Sequence, residues 1–277
     1  MNATPSLPPL LRLLRKLEFR GKLGLMDRLF GRSLARHGVT WIETRAGIPW
    51  ELDLTNATHR WIVYGFYEGP AFWHWLLANR ARVRTVADSG ANIGQTTLYF
   101  SRLLPTATIY AYEPGTSARA WLERGVAANH LRNVHVSSSA LGAAEGETFL
   151  RSCGDEKTHG SWNRIDAGEG ERIRITTLDA ELARLGIPRL DLWKLDMEGG
   201  EPAALKGAGD ALRSGRIGAV HAEILGETGT FISPMLQEMG FTPFVPRGDH
   251  LAPASGPLRQ DSGNALFLHR DSGLIPP

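Results

Sequence analysis

Thr85-Val-Ala-Asp-Ser-Gly-Ala-Asn-Ile-Gly94 is the stretch that most narrows what this chain can fold into. Thr85 and Val86 open a short β-branched run that ends at Asp88. The chain then turns through Gly90, Asn92 and Gly94, and Ile93, Leu98, Phe100, Leu103 and Leu104 recur with helical periodicity. The order is strand, tight turn, helix. Gly90 and Gly94 let the backbone pass close to a ligand. Asn92 stands where a three-glycine fingerprint has its middle glycine, and Asn tolerates positive φ. The next run, Thr108-Ile-Tyr-Ala-Tyr-Glu113, ends in a carboxylate followed by Pro114. Glu113 is therefore placed to accept hydrogen bonds from both hydroxyls of a ribose. The turn together with the acidic strand end is far more specific than either alone.

From Thr85 onward strand and helix patterns alternate, which predicts an α/β fold with a doubly wound parallel sheet. Strands are expected over 85–88, 108–113, 134–139, 190–196, 218–224, 241–246 and 264–269, and helices over 94–104, 116–129, 177–185, 202–213 and 230–239. The regularity breaks between Arg151 and Arg172, a polar, glycine-rich stretch that reads as a binding loop or lid, or else a disordered excursion; His159 and Trp162 in it are weak substrate-contact candidates.

A second group of ionisable residues sits on Leu190-Asp-Leu-Trp-Lys-Leu-Asp196-Met-Glu198-Gly-Gly-Glu201-Pro202. On extended backbone Asp196 and Glu198 project to the same side. Ligands of such sheets bind outside the carboxyl ends of the strands near the point where strand order reverses, which brings this tip beside the Gly90–Gly94 turn. Two carboxylates there can hold a cation, orient an ammonium or act as a general base. His221 and Glu223 repeat the arrangement on the following strand, and both are expected to share the mouth.

Ahead of this unit lies an appendage, residues 1–84, with the main domain over 85–277. Leu10, Leu11, Leu14 and Leu17 recur at helical spacing, a second helix is expected near Leu25–Leu34, and Thr40–Thr44 with Trp50–Leu54 reads as a β-hairpin. Tyr64, Tyr67 and Glu68 precede the first strand of the main domain, where they can close over a ligand; Glu68 is a cofactor-contact candidate. Residues 1–38 hold eight Lys/Arg against Glu18 and Asp27, a net of +6, so the remainder carries −4 of the total +2. That modest total gives no whole-protein field toward nucleic acid, which is not an expected partner, while the basic N-terminal helix is suited to packing on the main domain or a second subunit, with weak contact with a membrane surface as the less common alternative. Cys153 is the single cysteine, so an intrachain disulfide and a multi-cysteine metal site are excluded and a reducing cytoplasm is the expected compartment. No apolar run approaches the roughly 18 residues of a membrane helix, and Arg12 interrupts the first leucines too early for a secretory signal core.

Asp88-Ser-Gly-Ala-Asn-Ile-Gly-Gln-Thr-Thr97, Tyr112-Glu-Pro114, Ala140-Leu-Gly142, Thr177-Leu-Asp179 and Lys194-Leu-Asp-Met-Glu-Gly-Gly-Glu201 resemble, in order and spacing, the FkbM-type S-adenosylmethionine-dependent methyltransferases. The resemblance spans roughly residues 60–245; Ser89 departs from it, because the family usually has an aliphatic residue there. It implies a Rossmann-like sheet of seven strands with the last antiparallel, helices on both faces, and S-adenosyl-L-methionine as cofactor. By position, Asp88, Gly90, Asn92 and Gly94 would belong to the cofactor turn, with the last three lining the methionine end. Glu113 would hold the ribose, Ser139 and Ala140 the adenine, and Asp196 would lie near the amino-acid moiety. The implied reaction is O-methylation of a sugar or natural-product hydroxyl; the placement of the ionisable residues at the mouth makes Glu198 the first and His221 the second expected general base, with Glu223 a further catalytic candidate, and no obligatory metal ion is expected. The competing reading, a nicotinamide-dependent oxidoreductase, needs a turn that also wraps a pyrophosphate; Gly90-Ala-Asn-Ile-Gly94 lacks the G-x-G-x-x-G spacing. A non-catalytic nucleotide-binding protein is the third reading, and it leaves the four ionisable groups at one mouth without a purpose.

Overall fold

The computed structural model describes residues 7–17, 19, 21–44, 47–65, 69–152, 163–166, 168–224, 228–256, 258 and 263–276. Glu68, Tyr67, Cys153, His159 and Trp162 lie outside them.

The described strands are β1 (Val39–Glu43), β2 (Pro49–Asp53), β3 (Thr85–Ser89), β4 (Thr108–Tyr112), β5 (Val134–Ser137), β6 (Ala140–Leu141), β7 (Gly146–Ser152), β8 (Asn163–Asp166), β9 (Glu171–Thr176), β10 (Leu190–Leu195), β11 (Ile217–Ile224), β12 (Phe241–Arg247), β13 (His250–Pro253) and β14 (Gly263–His269). The main sheet runs β13-β12-β14-β11-β10-β3-β4-β5. Its centre is parallel, and β14 enters antiparallel between β11 and β12. This is the Rossmann-like arrangement expected, with one correction: β13 makes it eight strands rather than seven. The short turn between Arg247 and His250 folds the chain back so that β13 pairs along the outer edge of β12.

Alternation along the strands assigns the two faces. Val86, Leu192, Ala219 and Leu268 lie in one row and pack with Phe72, Trp75, Leu76, Phe100 and Leu104 from the helices Pro70–Asn79 and Gln95–Leu103 and the residue that follows the second. Ala87, Trp193, Val220 and Phe267 face the other way, onto Leu178, Leu182, Ala204, Leu205, Ala211 and Leu212. Burying both faces is why these strands read as nearly continuous apolar runs. Thr177 starts the helix Leu178–Arg184 by accepting the Ala180 N–H (3.1 Å), and Asp179 accepts the N–H groups of Asp210 and Ala211, both 2.9 Å, at the start of Gly209–Arg213. The single helix expected over 202–213 is two, Glu201–Lys206 and Gly209–Arg213, broken where Gly207 packs against the carbonyl of Gly142.

The stretch between Arg151 and Arg172, read as irregular, contributes its described residues mostly to strands of a second sheet of order β6-β9-β7-β8, while 153–162 lie outside the described residues. Its strands escape notice because few apolar residues are needed: among the described residues Ala140, Leu150, Ile173 and Ile175 form its small core, while Arg172 pairs with Glu147 on the open face.

In the N-terminal part, β1 and β2 form the expected hairpin. Trp50, Leu52, Leu54 and Ile42 are buried with Leu11, Met26, Phe30 and Leu34, and Ile93 and Leu98 from the Gly90–Leu104 region join the same cluster. The first helix, Pro9–Leu14, stops short of Leu17, and the second runs Lys22–Ala35 through a π-helical turn at Asp27–Gly31.

Candidate active site

Strand order reverses at β3, whose successor β4 lies on one side and β10 on the other. The crevice at this switch point is bounded by two strand tips that touch: the Asp196 N–H donates to the Ser89 carbonyl at 3.2 Å. Gly90 follows at φ +75°, and a Cβ there would stand 1.8 Å from the Asp196 carbonyl oxygen. Only glycine allows that approach. Gly94, at φ +96°, is constrained from a different direction, since its Cβ would meet Leu122 at 2.7 Å. It seats the turn on the helix Thr116–Ala128. Asn92 takes φ +51°, the positive value its side chain tolerates.

Glu113 ties the turn to the second strand tip. Its two carboxylate oxygens accept the N–H groups of Asn92 and Gly115, each at 2.8 Å. The residue is 6% exposed, and burial pushes its pKa up to about 7 against the opposing pull of those two N–H bonds. Each oxygen keeps a further acceptor site. Ser139 and Ala140 are buried just past the neighbouring tip of β5.

Across the crevice, register aligns Asp88, Lys194 and His221 in one row of β3, β10 and β11, and the next residues on that face are Gly90, Asp196 and Glu223. Asp88 is fully buried, accepts the Thr97 hydroxyl at 2.6 Å and lies 3.8 Å from the Lys194 ammonium. Lys194, itself 3% exposed, donates to Asp196 at 2.9 Å. It is the residue the sequence reading passed over. A lysine inside the apolar run Leu190–Leu195 is rarely buried without a partner, and alternation places it between Asp88 and Asp196.

Two expectations about this half need correction. His221 does not face an open mouth: it is 3% exposed and stacks on Phe72 with ring centroids 3.9 Å apart. Burial, then the Lys194 charge, lowers its pKa to about 3, so the ring is neutral at physiological pH and weakly basic. Glu198 does not continue the alternation from Asp196, because β10 ends at Leu195 and Glu198 turns the chain at φ +53°. Its carboxylate nevertheless remains near enough to act on Glu223. Burial, and then the charges of Asp196 and Glu198, push the half-buried Glu223 carboxyl up to about 8. Glu201 is buried beside them and accepts the Met197 N–H at 2.7 Å. Ser89, the departure from the family pattern, accepts the buried Trp193 indole N–H at 2.8 Å. Among the described residues, no group of three or more His, Cys, Asp or Glu side chains is arranged to hold a metal ion.

The family model described as Methyltransferase FkbM domain matches residues 88–243, more than half of the chain, from Asp88 through β12. The chain belongs to the FkbM methyltransferase family. It is 25% identical over 190 residues to Methyltransferase 1 of Beauveria bassiana, covering 61% of this chain and 76% of that protein. It is also 28% identical over 163 residues to AMB antimetabolite synthetase AmbE of Pseudomonas aeruginosa, covering 46% of this chain and 8% of that protein. Among solved structures, the METTL16 MTase domain is similar at a TM-score of 0.47 and 12% identity, over 90% of this chain and 79% of that one. As an FkbM methyltransferase, the enzyme uses S-adenosyl-L-methionine. The crevice fits that cofactor: a Cβ-free approach at Gly90, a buried carboxylate with spare acceptor sites at Glu113, and a carboxylate at Asp196 whose side chain is 41% exposed.

Proposed function

We propose that this methyltransferase acts on a hydroxyl of a small polyhydroxylated acceptor, a glycosyl unit or a natural product, with Glu223 as general base. Bound S-adenosylmethionine supplies a methyl group already activated by the positive sulfur. What remains for the protein is alignment and removal of the acceptor's proton. An alcohol is a weak nucleophile until a base accepts that proton, and a base works best when its own pKa lies near the operating pH. Glu223, pushed up to about 8, meets this condition, and its placement at the crevice is the observation that carries the reading. Its raised value comes from its place in the fold: half-buried at the tip of β11, with Asp196 and Glu198 close by. Asp196 is engaged by Lys194, and His221 is too weak a base. Glu113 and Asp196 are assigned to the cofactor, at the ribose and the amino-acid end.

Glu223→Gln keeps the shape and removes the basicity. It should bind S-adenosylmethionine within about threefold of wild type and lower kcat by at least about 100-fold. Wild-type kcat should climb as pH rises through about 8, because the base works only when deprotonated. Wild-type turnover by Glu223→Gln on a verified acceptor would remove Glu223 from the role, and a product methylated on nitrogen or carbon would overturn the hydroxyl acceptor.

A further inference from the structure

Six of the ten large apolar side chains that stand exposed among the described residues fall in one segment: Leu10, Leu13, Leu17, Phe19, Leu25 and Leu29, each 39–60% exposed. In the helix Pro9–Leu14, Leu11 turns fully inward, while Leu10, Leu13 and Leu17 recur three and four residues apart along the outer side. The stretch from Lys22 to Ala35 repeats the division. Met26, Phe30 and Leu34 are buried in the N-terminal cluster, and Leu25 and Leu29 remain outside. The inner rows supply the buried cluster, and the outer leucines lie outside it with about half of their surface exposed.

The exposed charges among the segment's described residues have one sign. Arg12, Lys16, Arg28, Arg32 and Arg36 are exposed. Asp27, the segment's described acid, turns inward, where its carboxylate binds Arg60 at 2.7 Å and accepts the Tyr64 hydroxyl at 2.9 Å. Leucines interleaved with arginines call for a partner that is apolar beneath and anionic above. Nucleic acid offers no place for a leucine row, and a second copy would bring the same positive charge. A groove on a protein takes one stripe of one helix, whereas here the leucines are spread over two helical pieces and the turn between them. No helix among the described residues is long and apolar enough to cross a membrane.

We infer that residues 9–36 dock on the surface of an anionic lipid bilayer, with the outer leucines at the boundary between headgroups and acyl chains and the arginines on the lipid phosphates. The test is co-sedimentation of the full chain with vesicles of phosphatidylcholine alone and of phosphatidylcholine mixed with phosphatidylserine. Binding to the mixed vesicles should be at least about tenfold stronger. Raising salt from about 0.1 to 0.5 M should weaken it, since the charge contribution is screened. The double variants Leu25→Glu/Leu29→Glu and Arg28→Glu/Arg32→Glu should each lose vesicle binding yet retain the wild-type melting profile and S-adenosylmethionine affinity, which shows that they fold. Equal binding to both vesicle types, or none to either, overturns the inference. Self-association or RNA binding that these variants abolish, without vesicle binding, also overturns it and gives the surface to another partner.

Discussion

The two halves of the crevice are built from different materials. At the tips of β3 and β4 the geometry is made by backbone: Gly90 against the Asp196 carbonyl, and the N–H groups of Asn92 and Gly115 on Glu113. At the tips of β10 and β11 it is made by side-chain charge, with Lys194 holding Asp196 and with Asp196 and Glu198 pressing on Glu223. A backbone-built site admits few residue types and suits a ligand that never changes. A charge-built site tolerates rearrangement and places groups near the pKa that proton transfer needs. The first half, with Asp196, is assigned to the cofactor, and the Glu223 side of the second to the acceptor.

The sharpest way to break this comparison is Gly90→Ala. Its Cβ would drive into the Asp196 carbonyl from a backbone at φ +75°, so the cost should be about 3 kcal/mol or more in urea unfolding. Gly199→Ala, at φ +100° with nothing within 4 Å of the added Cβ, isolates conformational strain and should cost about 1–2 kcal/mol. Equal costs at the two positions would show that the close approach of the strand tips is not what selects glycine.

Glu113 offers the next effect. With Glu113 assigned to the ribose, whose hydroxyls would donate to its ionised form, S-adenosylmethionine affinity measured by calorimetry should rise as pH passes upward through about 7. Glu113→Gln should bind at least about tenfold more weakly and show no such step. The stability consequence has the opposite sign. Because the folded pKa lies above the unfolded value, the group's contribution to cofactor-free stability is fully present below about 4.5 and is lost as pH rises through about 7. Affinity independent of pH in wild type would remove Glu113 as the ribose anchor.

The smallest effect tests the charge-built half. Glu198 holds a left-handed backbone at φ +53°, a conformation that is costly for a residue with a Cβ. Glu198→Gly should raise stability by about 0.5–1 kcal/mol, net of the added freedom of the unfolded chain, and slow methyl transfer. A loss of stability would mean that the Glu198 side chain holds the turn and that no strain is stored there.

The same contrast explains what could be read before the fold was known. Gly90, Asn92 and Glu113 announce themselves because strand, turn and acidic strand end occur in one order, and the alternation that placed His221 and Glu223 on one face holds in the sheet. Alternation failed at Glu198 because it presumes extended backbone, and the strand had already ended at Leu195. Phe72 could not be foreseen over His221, since the two are distant in sequence and meet only when the helix Pro70–Asn79 lies on the sheet. Lys194 was legible in principle, as a cation inside an apolar strand between two carboxylates. The small sheet escaped because its described core is four residues, too few for a periodic signal to rise above its glycines and charges.

The position of β14 sets the order in which this sheet can be completed. β12 pairs only with β13 and β14 among the described strands, and β14 alone links them to β11. During synthesis the strand that joins the two parts emerges after both of them. Until Gly263–His269 has left the ribosome, the hairpin of β12 and β13 has no hydrogen-bonded route to the rest of the sheet. The outer edge of β11, beside Glu223, stays open for the same interval.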